Sequence, residues 1–231
     1  MGLLTRNELT TNVRTALDNR SVAALSNETI WGWLNHTLTH VCHPKVYKHP
    51  NLEERELVTL LAATNAYNLA TDTIIVVGVR NTTAVSGYRL YPQNKRWFRD
   101  RAQDVTGRPS HYLRYGSLAT RAILKVYPTP STEYVGQVLE VQTYVYPTVF
   151  SAAAGDVASV IAAEWDEVLE IGAIWRGWRT LQNPVLSDRY KGDYAAMINE
   201  IAQIEDLEKQ EDQREFELGN QRLYPTGRYA R

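Results

Sequence analysis

The chain has 231 residues, 44% hydrophobic and 22% charged, with 25 basic against 26 acidic side chains. That length can bury a sizeable core in one or two domains, and a net charge near zero gives no global field to recruit nucleic acid or anionic membrane. The single cysteine, Cys42, excludes an intrachain disulfide or a thiolate zinc cluster and fits a reducing compartment. No run approaches the roughly 20 apolar residues of a membrane span. The opening MGLLTRNELT lacks the apolar core of a signal peptide, so none is expected. Tyrosine (14) and tryptophan (6) far outnumber phenylalanine (3), a bias suited to contacts that need apolar area with a polar handle.

Thr5 is predicted to cap a first helix to about Asn19, with Glu8 completing a capping box and Leu9, Val13, Ala16 and Leu17 as its stripe. Ser26 is predicted to cap a second helix to about Cys42, with Ile30, Leu34, Thr37, Leu38 and Val41 on one face and Pro44 as the stop. Two such short helices need a partner to be stable. From about Leu57 the period changes to short, β-branched, Tyr-rich segments separated by Gly, Pro, Asn and Thr. VLEVQTYVY is the clearest, with Leu139, Val141, Thr143 and Val145 on one face. Closely spaced turns favour an antiparallel meander over βαβ units. KRWFRDR (95–101) interrupts it as a charged short helix or loop. Its cation–aromatic mixture suits nucleic acid, but a solvated helix with Trp97 and Phe98 tucked under the sheet is the preferred reading.

SAAAGD (151–156) reads as a linker, after which residues 160–181 form the stretch the chain is organised around. One stripe holds Ile161, Trp165, Val168, Gly172 and Trp175; Leu169, Ile171, Ile174, Trp178 and Leu181 fill much of the remaining circumference. A helix apolar nearly all round needs partners on several sides. Ile171, Ile174 and Trp178, with Trp33 on the second helix, are therefore the candidates for cover by a neighbouring subunit. Glu164, Asp166, Glu167 and Glu170 read as its wet side. Ser187 is predicted to cap a fourth helix through Tyr190, Tyr194, Met197, Ile201, Ile204 and Leu207, after which EKQEDQREFELG turns strongly acidic. The tail NQRLYPTGRYAR is basic and aromatic without a single acid and reads as an extended docking segment.

The expected fold is therefore α+β. A four-helix bundle of two N-terminal helices (1–55) and two C-terminal helices (151–215) brackets an inserted antiparallel β-domain (56–150), followed by an extended tail (216–231). His36, His40 and His43 share a sector of the second helix, but Thr37 stands where a zincin would place its glutamate, so a polar face is preferred to a metal site. There is no GxSxG, GxGxxG or GxxxxGK[ST] pattern, and neither catalysis nor a cofactor is expected.

The order of elements and one motif resemble the head–tail connector (adaptor) proteins of tailed bacteriophages. GRPSHYLRYGSLATRAILKVYPTPST (107–132) is similar to that family's G-R-P-x-x-Y … L-x-x-Y-P-x-P hairpin. ETIWGWLNHTLTHV (28–41) resembles its second helix through Ile30, Leu34 and Asn35; TNAYNLATDTIIVVGVR (64–80) resembles its strand pair through Tyr67, Leu69, Asp72 and Ile74. EWDEVLEIGAIWRGWR (164–179) resembles its later helix, and Tyr194 follows near the start of the last one. Ala70 stands where the family often has proline, and nothing between Val79 and Gly107 aligns. The resemblance implies a non-enzymatic virion protein of the neck, made in the host cytoplasm. It implies a homo-oligomeric ring, commonly of twelve subunits, below the portal protein and above the next neck or tail component. Genomic DNA would pass through without sequence-specific binding. It further implies portal docking by the C-terminal segment, here Phe216, Arg222, Leu223, Tyr224, Pro225, Arg228 and Tyr229. The sheet would face the tail side, and the acidic stretch 205–217 would be suited to lining a channel that repels phosphate. A tail-tube or stopper subunit is the alternative within the neck; a soluble enzyme or carbohydrate-binding module using the Tyr-rich sheet is the more distant one.

Overall fold

The computed structural model describes residues 4–44, 46, 48–83, 87–101, 104–116, 122–158 and 165–223, with side chains as far as 203. The chain divides into two compact units, Met1–Lys48 with Val149–Arg231, and His49–Thr148.

The first unit is helical: α1 (Arg6–Ala16), α2 (Asn27–Val41), α4 (Asp166–Thr180) and α5 (Pro184–Leu223). The Thr5 side chain accepts from the Glu8 N–H while Glu8 reaches back to the Thr5 N–H, closing the expected capping box. α1 stops earlier than expected, because Asp18 and Asn19 take left-handed φ of 61° and 51°. Ser26 caps α2 as expected, accepting from Thr29. α4 packs against α1, α2 and α5 in turn, which is why it is apolar on several sides. The expected N-terminal turns at 160–164 lie outside the described residues. Gln182 turns the chain with φ 57°, and Asn183 rather than Ser187 caps α5, its Oδ1 accepting from the Leu186 N–H. Pro184 follows at the first helical position, where its missing N–H costs nothing; Ser187 is buried one turn further on. The fourth helix was expected to end near residue 215, but α5 runs for 40 residues, to Leu223. It carries 216–223 as helix where an extended tail was predicted, and 224–231 lie outside the described residues.

The second unit is a seven-stranded sheet in the order β1-β9-β3-β4-β6-β7-β2. Its strands are β1 (Glu53–Thr59), β2 (Ala66–Asn68), β3 (Thr73–Asn81), β4 (Tyr88–Pro92), β6 (His111–Tyr115), β7 (Ile123–Tyr127) and β9 (Val138–Val145). Leu139, Val141, Thr143 and Val145 of β9 are buried as predicted, Leu139 and Val141 in one cluster with Val58, Val79 and Leu90. Tyr144, expected on the opposite face, is fully buried too, its hydroxyl accepting from the His49 N–H. The sheet is not an antiparallel meander, however. β9 inserts between β1 and β3, and β4 pairs with β6 in parallel through Tyr91 and His111. A parallel pair needs a crossover connection, and the short helix α3 (Lys95–Arg99) lies in it. A second parallel pair joins β5 (Thr106–Gly107) to β8 (Thr129–Pro130).

Gly172 decides how closely the helices meet. A Cβ there would collide with Thr37 Cγ2 on α2, and would lie 2.8 Å from Thr37 Oγ1 and 2.9 Å from Tyr194 Cε2 on α5. Nothing lies within 4 Å of the corresponding position at Gly192. Alanine is favoured over glycine within a helix by about 1 kcal/mol, but overpacking a tight site costs about 1–3 kcal/mol. Gly172→Ala is therefore expected to lower the urea-measured stability by up to about 2 kcal/mol, while Gly192→Ala raises it.

Candidate functional site

A concave surface lies where α2, α4 and α5 meet. Trp175 on α4 stacks on Tyr194 of α5 with ring centroids 5.7 Å apart and planes at 28°. The Arg176 guanidinium lies 4.8 Å from the Trp175 centroid and 5.8 Å from that of Tyr194. Its Nη1 donates to Thr37 Oγ1 at 2.9 Å and to the Gly172 carbonyl at 2.8 Å. Burial pushes the Tyr194 phenol up to about 12, against the pull of Arg176, so it keeps its proton. It is within hydrogen-bond distance of His40 Nδ1 (2.6 Å). A protonated phenol that accepts from Arg176 donates to a neutral imidazole, leaving the His40 proton on Nε2. Two cavities flank this cluster and share Trp175 and Lys191 as walls. One, of about 400 Å³, includes His36, His40, Arg176 and Tyr194; the other, of about 490 Å³, includes Arg179, Asn183 and Asp188.

The expected site residues fare differently. Ile174 and Trp178, expected to await a neighbour, are 6% and 4% exposed in the single chain. That is a correction: α1, α2 and α5 already surround α4, so these two belong to the subunit's own core. Trp33 and Ile171 are half-buried. Phe216, Arg222 and Leu223 ride on the last turns of α5, while Tyr224, Pro225, Arg228 and Tyr229 lie outside the described residues. His36, His40 and His43 do not converge on a common point; among the described residues no group of three potential ligands does. The carboxylates read as a wet face are partly structural. Asp166 is 3% exposed and accepts from the Leu4 N–H at 2.8 Å, and Glu170 accepts from Asn12. Burial pushes both carboxyls above the usual range. In KRWFRDR, Phe98 is buried, and Trp97 meets Tyr127 edge-on at 5.4 Å and His111 at 4.7 Å. These aromatics serve the sheet's own packing.

Among the described residues the geometry gives a surface built of aromatic and cationic groups on a helical scaffold. The sequence matches the SU10 adaptor protein family over residues 4–222. The chain belongs to that family of phage head–tail adaptors. No curated protein matches it. Several residues that carried the resemblance prove to have structural tasks in the adaptor. The Asn35 side chain bonds both ways to the Phe150 backbone, donating to its carbonyl at 2.8 Å and accepting from its N–H at 2.6 Å. Arg108 lies 3.7 Å over the Tyr88 ring, and the hairpin β6–β7 pairs in register from His111↔Tyr127 to Tyr115↔Ile123. The Tyr67 hydroxyl bridges the turn before it, donating to the Thr64 carbonyl and accepting from the Leu61 N–H. What the sequence reading missed is the convergence of Arg176, Trp175, Tyr194 and Lys191. The available signal was an arginine inside the otherwise apolar run from Ile171 to Trp178.

The His40 pKa is lowered by burial, then by Arg176, His36 and His43. Its folded pKa lies below the unfolded value, so the unfolded chain binds the proton more tightly. The contribution is whole above the ordinary histidine pKa of about 6.5 and is lost as pH falls below it. Urea titrations of the wild type and His40→Gln across that range should show the wild type losing stability more steeply on acidification. Parallel curves would remove His40 from the network.

Proposed function

We propose that this adaptor is a structural subunit of the phage neck. Copies of it form a closed ring below the portal, twelve by analogy with the connectors it resembles, which joins the capsid to the tail and continues the DNA channel. The observation that carries this is the family match across residues 4–222, nearly the whole chain. The form of α5 supports it. Trp175 stacks on Tyr194, and Val168 clusters with Ile201. The two helices are thus antiparallel, with each step back along α4 matched by a step forward along α5. Asp166, the first residue of α4, is then level with about residue 203 of α5. Some 20 residues of α5 continue beyond it, ~30 Å at 1.5 Å per residue.

The reaching end of α5 brings Phe216, Arg222 and Leu223 away from the helical core, and the basic, aromatic residues Tyr224, Pro225, Arg228 and Tyr229 follow. We assign this segment to the portal, whose docking it would provide by inserting aromatic and arginine side chains, the residue types that dominate contact energies. The sheet unit is assigned to the next neck component, and the DNA passes without base-specific contact. Nothing in this role requires a chemical step.

Measuring the mass of the chain alone and mixed with its portal tests the assignment: a ring on the portal is expected. Because the described core closes at Ile201, deleting residues 217–231 should abolish portal docking and leave far-UV circular dichroism otherwise native. Docking retained by the truncated chain would refute the tail's role, and a chain that stays monomeric with portal present would refute the ring.

A further inference from the structure

We infer that the acidic end of α5, residues 205–217 of one copy, docks in the cationic groove around Trp175 and Lys191 of a second copy, head to tail. This rests on the ring reading above and names the contact that would build the ring.

Charge is the first argument. Residues 205–217 read EDLEKQEDQREFE, seven carboxylates against two cations. The groove presents the opposite sign. Arg179 and Lys191 are exposed on its walls, Arg176 lies half-buried at its base, and His36 stands at one side. No carboxylate lines the cavity between His36 and Lys191, and among the described residues Asp188 is the only one lining its neighbour. Trp175 and Tyr194 supply an apolar platform between the charges, so a helix seated there would bury aromatic area as well as pair its carboxylates.

Geometry then makes the contact intermolecular. Lys191 and Tyr194 of the groove and the acidic end lie on one continuous helix, α5. Some 17 residues separate Tyr194 from Glu211, ~25 Å along the axis. A continuous helix cannot bend its end back onto its own flank, so no copy can fill its own groove. Each copy therefore has an acidic end to give and a groove to receive. These are two different patches, which a closed ring of identical subunits requires and a two-fold dimer does not.

The test uses the full-length chain and two sets of charge reversals. One is Arg179→Glu with Lys191→Glu in the groove; the other is Glu208→Lys, Glu211→Lys and Asp212→Lys in the helix end. Each variant, shown folded by circular dichroism, is measured by analytical ultracentrifugation alone and with portal. Each reversal alone is expected to weaken self-association at least about tenfold. An equimolar mixture of the two variants should restore it, since each then offers its partner the complementary charge; a chain carrying both reversals should restore it too. Self-association that is undiminished when only the groove or only the helix end is reversed, or variants that stay apart when mixed, would overturn the docking while leaving the ring reading intact. A wild-type chain that is monomeric alone and on the portal would overturn both. Loss of portal docking with self-association unchanged would assign the groove to the portal instead and also overturn the proposal.

Discussion

The distance at which α4 passes α2 and α5 is the constraint the helical unit depends on. Gly172 brings the α4 backbone against Thr37 and Tyr194, and Gly177 brings it against Leu17 and Trp33. Glycine costs a helix about 1 kcal/mol relative to alanine at each position, so the sequence accepts a local penalty for close approach. What the approach allows is specific. Only with Gly172 bare does its carbonyl lie near enough to Thr37 for one guanidinium nitrogen, Arg176 Nη1, to bond both. The aromatic stack and the His40–Tyr194 bond are built on that arginine.

Polar groups fix the ends of the same unit. Asn35 binds Phe150 where the chain returns from the sheet, and Asp166 holds Leu4 at the start of α1. Arg6 stacks 4.3 Å from the Trp31 centroid and donates to the Ser151 carbonyl, while Trp31 Nε1 donates to Thr10. These are long-range ties between segments separated by more than a hundred residues in several cases. They join two N-terminal and two C-terminal helices into one body although a whole sheet intervenes in sequence.

What was legible in the sequence was what short-range physics controls. Thr5 and Ser26 cap as read because a cap depends on residues three apart. β9 alternates as read from Val138 to Thr143 because its period is imposed by the pleat, and departs from it only at Tyr144, which is buried as well. The parallel β4–β6 pair was not legible: it rests on two residue pairs, Tyr91↔His111 and Pro92↔Tyr112, brought together by a crossover. Asp166 and Glu170 were misread as wet because helix spacing shows that residues share a face but not what lies opposite it. Trp178 was misassigned for the same reason, since counting apolar faces gives the number of partners α4 needs and not whether they come from the same chain. The groove was invisible because Arg176, Tyr194 and His40 lie far apart in sequence and converge only through the glycine contact.

The last helix was expected to end near residue 215, with the acidic stretch giving way to an extended tail. That expectation neglects continuity. Nucleating a helix is costly while extending one is nearly neutral, and α5 is already nucleated and held by the packing of Tyr194 and Ile201. Glu205 and Lys209, spaced four apart with the acid first, contribute about 0.2–0.5 kcal/mol towards extension; Glu208–Asp212 and Glu211–Glu215 oppose it by a similar amount each. One favourable spacing against two unfavourable ones leaves a net like-charge repulsion of about 0.2–0.5 kcal/mol from the sequence pattern alone, which continuity with the packed part of α5 offsets. A surface that supplied cations along it would relieve that repulsion and shift the balance towards helix. An acidic helix end of this kind therefore gains order from binding, and the gain is largest against a groove with few carboxylates and its own cations, which is the composition found around Trp175.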